Sequence, residues 1–145
     1  MFRHILIPID GSPLSEKALK NGLGLAKSLN ARVTVLTVVE PFHVLSLAPQ
    51  QLADTDAAYK RHAHAAASAA LATADRLAQG MGVPYETLDL EHDDPHQAIV
   101  DTAEKKGCDL IAMSSHGRRG MAAVMLGSVT AKVLTRSSVP VLVYR

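Results

Sequence analysis

Residues 114–128 read SSHGRRGMAAVMLGS, with three glycines, two arginines and a histidine between two apolar stretches. Gly117 and Gly120 suit a backbone that turns with positive φ and comes close to a ligand. Gly127 and Ser128 stand at the start of a stretch with helical spacing. The first N–H groups of a helix have no partner within it and carry partial positive charge, which suits an anion. The Ser128 hydroxyl adds a donor, and Arg118 and Arg119 offer forked positive charge for phosphate. His116 and Arg118 fall inside the loop. This is the chemistry of a phosphate cradle. The alternative is a glycine loop with solvated arginines and an ordinary serine cap.

A second candidate follows the first apolar run. Pro8 cannot donate to a sheet ladder and so belongs at a strand's end or at a bulge. Asp10 then lies at the exit, where a carboxylate can accept hydrogen bonds from ribose hydroxyls or serve as a turn residue. Other signals carry less. His92 and His96 flank two aspartates, but Pro95 breaks the register between them and no further ligand completes a metal set. That segment reads as a surface turn capped by Asp94. His62 and His64 sit two apart on a helix and point to different sides. Cys108 reads as a small buried filler. No Gly-x-Ser-x-Gly elbow or lysine-bearing phosphate loop occurs, and Gly11 and Gly107 read as isolated punctuation.

These residues need strands that end beside one another. Runs at 4–9, 32–39, 84–90, 109–114 and 140–144 are rich in Val, Ile and Leu. The first, fourth and fifth are nearly continuous and apolar, as in a parallel sheet covered on both faces. The third alternates with acids and reads as an edge. Helical spacing occupies 13–29, 56–80, 95–106 and 128–135. Ser12-Pro13 is an N-cap with proline at the first helical position, and Asn30 ends that helix. Ala67, Leu71, Ala74 and Ala78 form a flat stripe, and Gly80 stops the second helix. Gln97 is placed for a capping box, and Lys105 and Lys106 lie where cations favour the dipole. The β-α-β-α-β-α-β-α-β order predicts one α/β domain over 1–145, a Rossmann-like, doubly wound parallel sheet with helices on both faces. The connection at 40–55 is long. Its apolar Phe42, Val44, Leu45, Leu47 and Leu52 suit a lid, an oligomer contact or a self-packed loop.

The chain has 145 residues and a formal net charge of +1, which argues against broad capture of nucleic acid. One cysteine excludes an internal disulfide and fits a reducing compartment. The start, MFRHILIPID, is too short and too soon interrupted for a signal peptide, and no run approaches membrane-spanning length. A cytoplasmic protein with no membrane association is expected.

ILIPIDGSPLSEKAL at one end and CDLIAMSSHGRRGMAAVMLGSVTAKVLTRSSVPVLVYR at the other resemble the universal stress protein family across the whole chain. The resemblance implies strand order 3-2-1-4-5 and a homodimer through the last strands, 140–144. An apolar edge strand that ends the chain suits that pairing physically. The ATP-binding branch carries glycine, two residues, glycine, nine residues, glycine, then serine or threonine. Here Ser114, Gly117 and Gly127-Ser128 fill that register. The resemblance places Pro8, Asp10 and Val38 around adenine and ribose, with Ile9 between them. It places Met113, Gly117, Gly127 and Ser128, followed by Val129, on the phosphate side. ATP, with or without Mg, is the implied ligand.

Ser114 replaces the first motif glycine. If positive φ is required there, serine costs roughly 1–2 kcal/mol. If the position simply ends a strand, ordinary β angles suffice and the hydroxyl becomes available to phosphate. Asp93 stands where many relatives have glycine, and would repel triphosphate or help hold a divalent ion. The reading is an ATP-binding regulatory dimer of the stress response, with hydrolysis slow or absent because no general base for water is evident. The alternative is a dimeric interaction module of the same fold that binds no nucleotide.

Overall fold

The computed structural model describes residues 1–41, 49–117 and 125–145, with backbone alone for 49–54. Five strands, β1 (His4–Ile9), β2 (Arg32–Val39), β3 (Tyr85–Glu91), β4 (Leu110–Ser114) and β5 (Val141–Tyr144), alternate with four helices. The helices are α1 (Pro13–Leu29), α2 (Pro49–Met81), α3 (Pro95–Lys106) and α4 (Ser128–Arg136). The strands form one parallel sheet in the order β3-β2-β1-β4-β5. The order expected from the ends of the chain is therefore the one observed.

Strand periodicity sorts the core into two layers. Ile5, Ile7 and Ile9 of β1 pack with Val33 and Val35 of β2 against Leu19, Leu23 and Ala26 of α1 and Ala70, Ala74 and Ala78 of α2. Leu6 and Leu36 face the other way, with Ile111 and Met113 of β4, onto Ile99 and Ala103 of α3 and Val133 of α4. Each fully buried Ile or Leu contributes about 1.5–3 kcal/mol relative to exposure. Small residues set the spacing of the first layer. A Cβ on Gly22 of α1 would lie 2.7 Å from the Ile7 Cδ1, so this helix seats closely on β1.

Local signals explain most boundaries. The Ser12 Oγ accepts the Ser15 N–H at 3.2 Å, and Asn30 closes α1 in the left-handed region at φ 53°. Gly107 closes α3 in the same way at φ 65°. Elsewhere the structure corrects the sequence. Helix α2 begins at Pro49, so 49–55 belong to a helix with proline at its first position rather than to a long connection. Residues 42–48, with Phe42, Val44, Leu45 and Leu47, lie outside the described residues. Helix α2 also runs through Gly80, and Gly82 at φ 66° provides the left-handed turn beyond it. The Asp94 side chain makes no cap bond, and Gln97 builds no capping box; its Nε2 donates to the Asp101 Oδ1 at 2.8 Å. His96, expected on a surface turn, is the second residue of α3 and is buried. Among the described residues, no helix is long and apolar enough to cross a membrane.

A polar network lies near the amino ends of the strands, opposite the site described below. The His4 Nε2 lies 2.7 Å from the Thr34 Oγ1, which donates to the Glu86 Oε1 at 2.8 Å. The Lys106 Nζ meets the other Glu86 oxygen at 2.9 Å. Because Thr34 donates to a carboxylate, it accepts from the His4 Nε2–H, which fixes the tautomer. Burial first, and then the Arg32 charge, hold the His4 pKa below its usual value. The hydrogen bond from Lys106, then that from Thr34, lowers the pKa of Glu86.

Candidate functional site

The chain passes from β1 to β2 and β3 on one side, then crosses through α3 to β4 and β5 on the other. The crevice outside the carboxyl ends of β1 and β4 is thus the switch point of the sheet. A cleft of about 420 Å³ opens there, within the usual range for a small-molecule site. Pro8, Ile9, Asp10, Val38, Met113, Ser114, Gly117, Gly127, Ser128 and Val129 all line it. The topology thus brings together candidates more than a hundred residues apart in sequence. His116 is not part of this lining, and Arg118 lies outside the described residues.

Backbone geometry gives one wall its polarity. The Arg32 N–H donates to the Arg3 carbonyl on the β1 side, and the Val33 N–H donates to Pro84 on the β3 side. Alternation along β2 then turns the peptide groups of residue 38 toward β1. The β1–β2 ladder ends with Ile9 opposite Thr37, and the chain turns away at Gly11, which has φ 78°. The Val38 carbonyl is therefore the first on that side beyond the end of the ladder. The next carbonyl, of Val39, points the other way and accepts the His92 N–H at 3.0 Å. Pro8 lies one residue before β1 finishes, and its missing N–H faces β4, where the β1–β4 pairing stops at Leu6 and Ile111.

Asp10 is held from both ends. Its backbone N–H donates to the Ser15 Oγ at 3.1 Å, and its Oδ1 accepts the Ser12 N–H at 2.9 Å. The carboxylate thereby lies at the amino end of α1 and against Gly117. A Cβ on Gly117 would collide with the Asp10 Oδ2, with the Cγ 3.3 Å away. Gly117 does not have the positive φ expected from sequence; it is needed for this close approach. Gly120 lies outside the described residues.

The opposite wall is the amino end of α4. Gly127 is its N-cap, in extended conformation, and has no side chain to satisfy the first-turn N–H groups. The Gly127 N–H donates to the Ser115 carbonyl at 2.8 Å, while the Ser115 N–H donates to the Tyr144 carbonyl at 2.8 Å. The Thr130 Oγ1 donates to the Ser114 carbonyl at 3.0 Å. These bonds fasten α4 to the ends of β4 and β5. His116 supports the same corner: its Nδ1 lies 3.1 Å from the Ser115 Oγ, and its Cα would stand 3.0 Å from a Cβ on Gly127.

Other lining residues were not singled out from sequence: Leu36, Thr37, Glu40, Tyr59, Ala63, Pro95, Ile99 and Thr130. The Tyr59 hydroxyl donates to the Glu40 carbonyl at 3.0 Å and ties α2 to the exit of β2. An aromatic residue at the head of an alanine stripe was the available signal. Asp10 and Glu40 are the carboxylates of the described lining, and no group of three metal-ligating side chains occurs among the described residues. What the arrangement offers chemically is an apolar slot with a carbonyl at one end, a carboxylate in the middle and helix N–H groups at the other.

The sequence model described as Universal stress protein family matches residues 1–145. The chain is 32% identical to universal stress protein YxiE of Bacillus subtilis, over all of both proteins. It is 32% identical to universal stress protein MJ0531 of Methanocaldococcus jannaschii, over all of this chain and 83% of that one. The solved structure of hypothetical protein MJ0577 superposes with a TM-score of 0.83 at 28% identity, covering 99% of this chain and 95% of the other. A universal stress protein solved in complex with cAMP superposes with a TM-score of 0.73 at 28% identity, covering 99% and 97%.

Proposed function

The chain belongs to the universal stress protein family, and on that premise we propose that it binds ATP or a related adenine nucleotide in the switch-point cleft and acts as a regulatory homodimer. The observation that carries this reading is the amino end of α4, with glycine as its cap, facing a cleft that begins at the Val38 carbonyl. A free carbonyl accepts the exocyclic amine of adenine, whereas guanine and hypoxanthine present an oxygen at the equivalent ring position. Pro8 and Val38 supply apolar surface for the base, and Asp10 accepts from ribose hydroxyls. Backbone N–H groups at Ser128 and Val129, with the Ser128 hydroxyl, receive phosphate. Asp10 and Glu40 add negative charge to the same cleft, so a triphosphate enters with Mg as its counter-ion. The relative in complex with cAMP supports an adenine ligand in this fold. Bound nucleotide favours one arrangement of the phosphate loop and so alters what the dimer contacts. Hydrolysis is slow or absent.

The two sheet edges support the assembly. β3 carries Glu86, Asp89 and Glu91, so two copies of this edge repel each other. β5 reads VLVY, and its Leu142 is exposed. The β5 edge is therefore the one that suits pairing with a second copy.

Calorimetry with Mg-ATP at millimolar concentration tests the nucleotide reading, together with mass spectrometry of any small molecule that copurifies. Saturable heat in the native protein is expected, with its loss in a folded Gly127→Val variant. The absence of both binding and a copurifying nucleotide would overturn it in favour of the interaction module.

A further inference from the structure

Helix α2 presents one face to the cleft. Tyr59, Ala63, Ala66, Ala67 and Ala70 share that face by their spacing, and all of them line the cleft. Four are alanines, so Tyr59 is the bulk that this helix sets there, and it is the aromatic residue of the described lining. Its hydroxyl donates to the Glu40 carbonyl at 3.0 Å. The ring is therefore held at both ends, by the helix behind it and by the exit of β2 in front. That bond fixes a side chain that would otherwise sample several rotamers.

The direction of the chain places the ring relative to a bound base. The parallel strands run toward the cleft, so residues later in β2 lie nearer its mouth. Glu40 stands two residues beyond Val38, at most about 7 Å farther along the chain. The Val39 carbonyl between them is engaged by the His92 N–H. Tyr59 thus stands on the mouth side of the Val38 carbonyl, the acceptor assigned to the exocyclic amine of the base. Pro8 and Ile9, at the end of β1, close the inner side. An amine that gives one hydrogen to the Val38 carbonyl keeps a second one. A group replacing that second hydrogen extends toward the mouth, where the phenol ring stands.

We propose that Tyr59 is a specificity-determining residue that restricts the cleft to adenines with an unsubstituted exocyclic amine. This rests on the nucleotide reading above. The tethered ring packs against the edge of the base and leaves no room for an added alkyl or aryl group. Apolar pocket walls discriminate one added group by roughly ten- to two-hundredfold.

The test measures AMP and N6-benzyl-AMP binding by calorimetry in the native protein and in Tyr59→Ala, Tyr59→Ser and Tyr59→Phe, each checked for fold by circular dichroism. The benzyl group is close in size to the side chain that alanine or serine removes. The native protein should prefer AMP by about tenfold or more. Tyr59→Ala and Tyr59→Ser should narrow that preference to within about threefold, and Tyr59→Phe, which keeps the ring and loses only the tether, should retain most of it. Equal binding of the two ligands by the native protein would overturn the proposal. So would an unchanged preference in the alanine and serine variants, including the case in which both ligands weaken by the same factor, because that is the result expected if Tyr59 merely ties α2 to β2. Failure of the native protein to bind AMP or Mg-ATP would overturn the nucleotide reading itself, and this inference with it.

Discussion

Gly117→Ala separates steric fit from backbone conformation at the centre of the cleft. Gly117 does not occupy the left-handed region, so alanine brings no φ penalty. Its Cβ instead meets the Asp10 carboxylate. Asp10 cannot swing aside freely, because its Oδ1 holds the Ser12 N–H at 2.9 Å and its own N–H is held by Ser15. Relief therefore breaks a hydrogen bond to a charged group, at a cost of about 1.5–3 kcal/mol. For a chain of this length, that corresponds to a fall in Tm of roughly 3–12 °C. In an Asp10→Ala background the carboxylate is gone, and the same substitution should cost less than about 0.5 kcal/mol. A double-mutant cycle by urea denaturation reads the difference as a coupling energy. Equal costs in the two backgrounds would refute the argument that Gly117 is small because of Asp10.

Acid should destabilise the fold before any carboxylate titrates. Burial comes first in lowering the pKa of both His4 and His96, followed by Arg32 for the former and by Lys132 and Arg136 for the latter. Both imidazoles favour the neutral form when folded, so the unfolded chain binds protons first as pH falls below about 6.5. Tm should drop between pH 7.5 and 5.5, and a flat profile would contradict this. Leu142→Glu places a charge on the exposed part of β5 and should yield monomers in sedimentation at micromolar protein, with Tm nearly unchanged; an unaltered dimer would rule out this edge. Cys108 is buried and its thiol is pushed up to about 11, so native protein at pH 8 should react with a thiol reagent only as fast as it unfolds. Rapid labelling without loss of structure would show that the site is open.

Much of the architecture is legible along the chain because its causes are local. The apolar runs of β1 and β2, the Ser12-Pro13 start of α1 and the left-handed stops at Asn30 and Gly107 each depend on a few neighbouring residues. Where several residues can perform one local task, the choice is less legible. Gly80 and Gly82 both suit a helix end, and the one that takes positive φ is Gly82, where the Val83 N–H can reach the Ala78 carbonyl. Gln97 has the spacing of a capping box, yet its amide finds Asp101 one turn on.

Sequence alone singled out Asp10, Gly127 and Ser128, which line the cleft, by their type and by their position beside a strand or helix end. It also determined the fold class, since the alternation of short apolar runs with amphipathic stretches admits few packings. Only the tertiary structure decided what each residue does there. Gly117 is required by a carboxylate more than a hundred positions away, and the carbonyl of residue 38 lies beyond the β1 ladder because β1 ends before β2 does. Those are properties of pairs distant in the chain, set by register between strands, and no local pattern encodes register.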